Sequence, residues 1–121
     1  MSEIELTPKQ QQTLERQRER FEEAKAGLAE LGFVLQGSVT ERWMKCGREG
    51  CRCHTDPGAR HGPYRQWSWK TGGKTYSVYL SQEQAELCRR WVANHRRAEK
   101  ILRQMRVISK RAARVFEIRP K

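Results

Sequence analysis

Leu14, Phe21, Ala24, Leu28 and Leu31 recur at steps of seven, three and four, with Gln17 in the missing place. They form one narrow apolar stripe on an otherwise charged helix. Thr7 as N-cap, Pro8 in the first turn and Gln10 closing a capping box mark its start, and Gly32 is a good stop. The periodicity predicts a helix over 7–31 whose stripe packs against another helix. Residues 33–44 are rich in β-branched and aromatic types and predict a strand, broken or bulged at Gly37.

A hairpin follows, with Tyr64–Thr71 and Lys74–Leu80 flanking Gly72-Gly73, a two-residue loop of the primed-turn kind. That turn sets Trp69 against Tyr76, Trp67 against Val78 and Arg65 against Leu80 on one side. The other side pairs Lys70 with Thr75, Ser68 with Ser77 and Gln66 with Tyr79. One face is thus aromatic and apolar, the other polar. Trp67 and Trp69 read as core, and Tyr64 and Tyr79 as rings for exposed stacking or, alternatively, for closing the sheet edge. Ser81 to Gln84 make a second capping box, opening a long helix that runs to about Phe116. Cys88 falls on its apolar stripe and reads as a buried thiol.

Hydrophobic residues make up 36% of the 121 and charged ones 32%, a thin supply for a core that favours an internal staple. The acidic start Met1-Ser2-Glu3-Ile4-Glu5-Leu6 shows no apolar leader, and no apolar run approaches the ~18 residues of a membrane span. The expectation is a cytoplasmic protein without membrane association, in whose reducing surroundings clustered cysteines serve metals more often than disulfides.

The net charge is +11, unevenly spread. Residues 1–31 carry five Lys/Arg against seven Asp/Glu, residues 32–80 eight against three, and residues 81–121 twelve against four. Basicity therefore grows toward the C-terminus and points to a polyanionic partner. Arg89, Arg96, Lys100, Arg103, Lys110 and Arg114 share one side of a 3.6-residue period. Cations stacked on one helical face without acidic partners repel one another unless an anion lies alongside.

Cys46-Gly47-Arg48-Glu49-Gly50-Cys51-Arg52-Cys53-His54 is followed by His61-Gly62-Pro63-Tyr64. Thiolates and imidazoles this close are what a tetrahedral zinc ion requires. Gly47 and Gly50 would supply the tight turn. The expected ligands are Cys46, Cys51, Cys53 and His61, with His54 as the alternative fourth. The spacing C-x4-C-x-C-x7-H matches no standard finger, so the density of ligands carries the reading. A catalytic zinc needs an open position and a base, and only Glu49 and Asp56 lie nearby in sequence, on polar loops. Cys51 and Cys53 also lack the C-x-x-C spacing of thioredoxin-like enzymes. A structural metal and no enzymatic activity are expected.

The fold expected from these parts is α+β. A zinc-stapled antiparallel sheet of about three strands is flanked by an N-terminal helix and a long basic C-terminal helix. The chain reads as a single small domain over 1–121, divided into helix 7–31, zinc-binding β region 33–80 and basic helix 81–118.

The paired CGxxGCxCH and HGPY blocks, the Trp-containing strand and the Gly73-Lys74-Thr75 hairpin resemble a family of uncharacterised small prokaryotic proteins. Members of that family accompany transposases and other mobile-element genes. The resemblance runs over about 36–109, outside the N-terminal helix and the Arg-rich end. It implies a shared fold and metal site and an association with DNA mobility, but no biochemical activity.

Together these readings lead to a zinc-binding, nucleic-acid-binding accessory factor, with DNA favoured over RNA. Arg48, Arg52, Arg60 and Arg65 around the cysteines are the candidates for base or groove contacts. The cations of the long helix are the candidates for phosphate contacts. The alternative is a coiled-coil adaptor, as a homodimer through its helices or bound to a transposase-like protein.

Overall fold

The computed structural model describes residues 4–121, so Met1–Glu3 of the acidic start lie outside the described residues. Helix α1 (Pro8–Ala29) is followed by strand β1 (Ser38–Met44), 3-10 turns at Arg52–His54 and Pro57–Ala59, strands β2 (His61–Thr71) and β3 (Lys74–Leu80), and helix α2 (Gln82–Val115). The architecture is α+β, as expected. Its contacts gather into two compact units: residues 33–95, and residues up to 32 together with 96–121. Helix α2 contributes to both.

The first unit holds the antiparallel sheet, in the order β1-β2-β3. Its hairpin keeps the register that the Gly72-Gly73 turn dictates: Trp69 opposite Tyr76, Trp67 opposite Val78, Arg65 opposite Leu80, and Gln66 opposite Tyr79. Both turn glycines have positive φ, 58° and 80°, which the primed turn requires. Strand β1 is shorter than expected. It starts at Ser38, and the ladder slips between Arg42 and Met44. Phe33–Gln36 are held by α2 instead of by a strand. The Leu35 N–H donates to the Trp91 carbonyl at 3.0 Å, and Asn94 Nδ2 donates to the Phe33 carbonyl at 2.9 Å. The Phe33 and Trp91 rings pack at 4.9 Å.

Gly37 is the break between these two regimes. Its φ is +112°, and a Cβ there would run into the Ser68 carbonyl and sit 2.7 Å from Trp67 Nε1. That close approach lets Trp67 Nε1 donate to the Gln36 carbonyl at 2.8 Å.

The tryptophans are not core in the expected sense. Trp67 and Trp69 are only half-buried, and their neighbours Tyr76 and Val78 are 44% and 42% exposed. The rings cover one another instead. Trp67 stacks on Trp69 with centroids 3.8 Å apart, and Trp69 stacks on Tyr76 at 5.6 Å. Among the described residues the buried apolar side chains are Cys53, Ala85, Val92 and Val115. With so little covering material, ring-on-ring contact substitutes for a second layer. Cys88 is likewise half-buried, not the buried thiol its place on the stripe suggested.

In the second unit α1 runs antiparallel to the C-terminal part of α2. A Cβ on Gly27 would lie 3.1 Å from Ile101 Cδ1, while Leu14, Gln17 and Phe21 share a cleft with Ile108 and Ala112. The Thr7–Gln10 capping box is formed in both directions, at 2.9 and 3.1 Å. The helix stops at Ala29, with Glu30 as C-cap, short of the expected Leu31 and Gly32. Gln17 is 8% exposed, and among the described residues its Oε1 has no hydrogen-bond partner.

Replacing Gly37 by Ala forces a side chain against the Ser68 carbonyl in a backbone region hostile to it. The expected loss is about 2 kcal/mol or more of stability, measured as a lowered urea midpoint.

Candidate metal centre

The chain leaves β1 at Met44, crosses the glycine-bearing stretch 45–50, coils through a 3-10 turn and re-enters the sheet at His61, which pairs with Met44. His61 is therefore the first residue of β2, which starts three residues before the expected Tyr64. This hairpin-like excursion brings Cys46, Cys51, Cys53 and His61 together. One ligand atom from each lies within 4.8 Å of all the others. His54, exposed on the 3-10 turn, is outside this group. Of the two glycines, Gly50 takes a positive φ of 79°, whereas Gly47 does not.

Zinc bound at ~2.3 Å by sulfur and ~2.0–2.1 Å by nitrogen in a tetrahedron sets neighbouring donors about 3.5–3.8 Å apart. The Cys53 and Cys46 sulfurs are 3.5 Å apart, and Cys51 Sγ is 3.3 Å from His61 Nε2. The donor set fits such an ion, and these two spacings are close to what it requires. Cys53 is 1% exposed at the base of the group, Cys46 and Cys51 are half-buried, and His61 is exposed at its rim.

Backbone amides already serve the sulfurs. The N–H of Cys53, followed by the side chains of His61, Cys53 and Cys46, holds the Cys51 thiol at about 6 instead of its ordinary 9.0, against the opposing pull of desolvation. At Cys53 the amide of Cys46, 3.3 Å from the sulfur, acts in the same lowering sense. Desolvation and the adjacent Cys51 and Cys46 sulfurs outweigh it, and the Cys53 thiol is raised. The group thus offers one ready thiolate to an incoming cation and a buried thiol that ionises when the cation arrives.

The surrounding loop is built from ordinary turn chemistry. Asp56 Oδ1 accepts from the Gly58 N–H at 3.0 Å, and its other oxygen meets Arg52 at 3.2 Å. Glu49 and Arg48 are exposed.

The candidate nucleic-acid residues fall into separate places. Arg52 is engaged with Asp56, though its side chain stays 82% exposed. Arg65 is 21% exposed and lies 3.9 Å from Glu41, and Arg89 meets the same carboxylate at 3.2 Å. Arg89 therefore has an acidic partner that the helix pattern did not reveal. Arg60, Arg96, Lys100, Arg103, Lys110 and Arg114 are exposed. Within the two-helix unit, Lys100 and Arg103 line a groove of about 780 Å³ together with Arg20 and Arg111, facing a single carboxylate, Glu23. Arg20 and Arg111 were not among the expected site residues. Their signal lay in the antiparallel pairing of two helices, which brings the flank of one stripe beside the flank of the other.

In metal-free protein we expect one thiolate to develop with a midpoint near pH 6 in an ultraviolet titration, and Cys51→Ser to abolish it. Because the shift is downward, it favours the folded chain most above pH 9.0 and that advantage is lost as the pH falls through about 6. A first thiolate appearing only near 9 would contradict this geometry.

No curated protein and no solved structure matches the chain. Among families, the DUF6788 domain of unknown function matches residues 11–90. The match takes in most of α1, which the motif resemblance left out, together with the whole sheet and the cysteine–histidine group. It stops at Arg90, before most of the basic stretch of α2. With a match over more than half its length, the chain belongs to the DUF6788 family.

Proposed function

We propose that this protein is a zinc-stapled, non-enzymatic nucleic-acid-binding factor that acts on DNA in the cytoplasm as an accessory to a mobile element. The observation that carries the nucleic-acid reading is the groove of the two-helix unit. Four cations (Arg20, Lys100, Arg103 and Arg111) surround it, with Glu23 as the one acid and the apolar side chains of Ala24, Val107 and Ile108 between them. Gathered cations of this kind cost self-repulsion in the free protein and release counterions when phosphates arrive. Arg96, Lys110 and Arg114 extend the positive surface along the same helix.

Zinc, when bound, would cross-link the segment between β1 and β2 through Cys46, Cys51, Cys53 and His61. Four protein donors fill its coordination shell, which supports a structural ion over a catalytic one. The mobile-element role rests on the paired cysteine and HGPY blocks, and a transposase-like protein is the partner it suggests.

A second reading has its own support. Val107 is 50% exposed within that same groove, an apolar contact available to another helix. The protein would then be a coiled-coil adaptor or homodimer. Light scattering that shows a dimer with no affinity for DNA or RNA would select this reading.

Purified without chelator, the protein should carry about one zinc per chain. Stripping the metal should lower the melting temperature sharply, since such sites contribute on the order of 10–16 kcal/mol to folding. Binding to duplex DNA should weaken steeply with salt. Each phosphate contact removed by neutralising Arg96, Lys100 or Arg103 should take about 0.9 off the log–log slope. Salt-insensitive binding would overturn the proposal.

A further inference from the structure

The polar side of the sheet has a composition of its own. In the register, Ser38, Thr40 and Arg42 of β1 lie opposite Ser68, Gln66 and Tyr64 of β2, and Gln66 lies opposite Tyr79 of β3. The positions sharing this face carry two cations, Arg42 and Lys70, and no carboxylate. The carboxylate of β1, Glu41, projects to the opposite side, where it meets Arg65 and Arg89.

At one end of this face four side chains come together. Arg42 Nη2 donates to Gln66 Oε1 at 3.4 Å. The Tyr64 and Tyr79 rings lie 6.2 Å apart, tilted by 58°, and are 39% and 64% exposed. Tyr64 and Tyr79 also line a hollow of about 540 Å³ at this end of the sheet, which reaches Arg65 and Leu80 of the other side as well as Met44 and Pro63. Two exposed rings angled to one another, with a guanidinium on the neighbouring strand bonded to an amide beside them, make a surface for flat, weakly polar, hydrogen-bonding rings on an anionic backbone. Unpaired nucleobases have that chemistry. Duplex DNA does not, because its bases stack on each other.

We infer that this face, centred on Tyr64, Tyr79, Arg42 and Gln66, binds a single-stranded stretch of nucleic acid. The bases stack on the two tyrosines, Gln66 meets a base edge, and Arg42 meets the backbone phosphate. The inference rests on the nucleic-acid reading above but assigns a different surface and a different form of the ligand. The groove in the two-helix unit takes phosphates of any form, whereas the tyrosine face needs bases free of their partners. The chemistry common to DNA and RNA strands is all the face requires, so the two sugars are compared in the test.

The test is fluorescence anisotropy of the full-length, metal-loaded protein with labelled probes of one length: oligo-dT, oligo-U, an abasic strand of equal charge, and a duplex. The protein should prefer oligo-dT or oligo-U to the abasic strand. Tyr64→Ala and Tyr79→Ala should each weaken base-bearing strands about tenfold, leaving the abasic strand and the duplex within about twofold. Tyr79→Phe, which keeps the ring, should lose far less than Tyr79→Ala. Zinc content and circular dichroism of each variant establish that it is folded.

Equal affinity for abasic and base-bearing strands, or tyrosine variants that lose duplex and single strand alike, would overturn the tyrosine-face assignment while leaving the groove reading intact. Wild-type protein that binds none of the probes at low salt would overturn both. A preference for oligo-U or for oligo-dT identifies which strand the face takes.

Discussion

The convergence of Cys46, Cys51, Cys53 and His61 on one point is the constraint on which the β unit depends. The chain between β1 and β2 spends sixteen residues (45–60) away from the ladder. Without a joint it would be a long polar excursion attached to strands whose apolar side is only half covered. The sulfurs and the imidazole already lie within 4.8 Å of one another, and backbone amides are aimed at two of the sulfurs. Ordering an exposed loop costs roughly 1–2 kcal/mol per residue, which the few buried apolar side chains here cannot offset by themselves. A cation held by those four donors would supply the missing stabilisation at the place where the hydrophobic contribution is smallest.

The other surfaces follow from the same shortage of core. Where there is little to bury against, the tryptophans stack on each other, Glu41 ties together Arg65 and Arg89, and one buried amide, Gln17, occupies a place in the helical seam that an apolar side chain would normally fill. Charge that is not tied down collects elsewhere. The carboxylate of β1 sits on the tryptophan side, which leaves the tyrosine side with cations alone. The helical groove likewise keeps one acid among four bases. The two positive surfaces belong to different units and differ in character. One is a cationic groove with apolar walls, and the other is an aromatic face flanked by a guanidinium.

Much of this was legible in the sequence, for physical reasons that can be named. A two-glycine turn and strict alternation leave only one hairpin register, and every expected pair across it is present. The two capping boxes likewise announced where the helices begin. What pattern could not supply was cover. Alternation tells which side Trp67 and Trp69 share, but not whether anything lies over them, and they proved half-exposed. Residues 33–36 have strand-like side chains, yet their backbone groups bond to α2, a partner 56 or more residues away that no local rule names. Arg20 escaped because the first 31 residues are acidic in sum. A segment average conceals one cation placed beside a neighbouring helix. At the metal centre, density of ligands was sufficient to choose the cluster, whereas the separation of His61 from His54 depended on where β2 starts.

The Gly72-Gly73 turn has a consequence beyond closing the hairpin. Side chains alternate with a period of two, so the number of residues in that loop decides which side of the sheet each position of β3 occupies. One inserted residue would rotate β3 by half a period against β2. Tyr79 would then join the tryptophans, and Tyr76 and Val78 would appear among the serines and Gln66. The division of the sheet into an indole side and a tyrosine side is therefore a matter of parity. It is held by the length of a two-residue loop, and an insertion there inverts the sidedness of β3 without changing a single one of its residues.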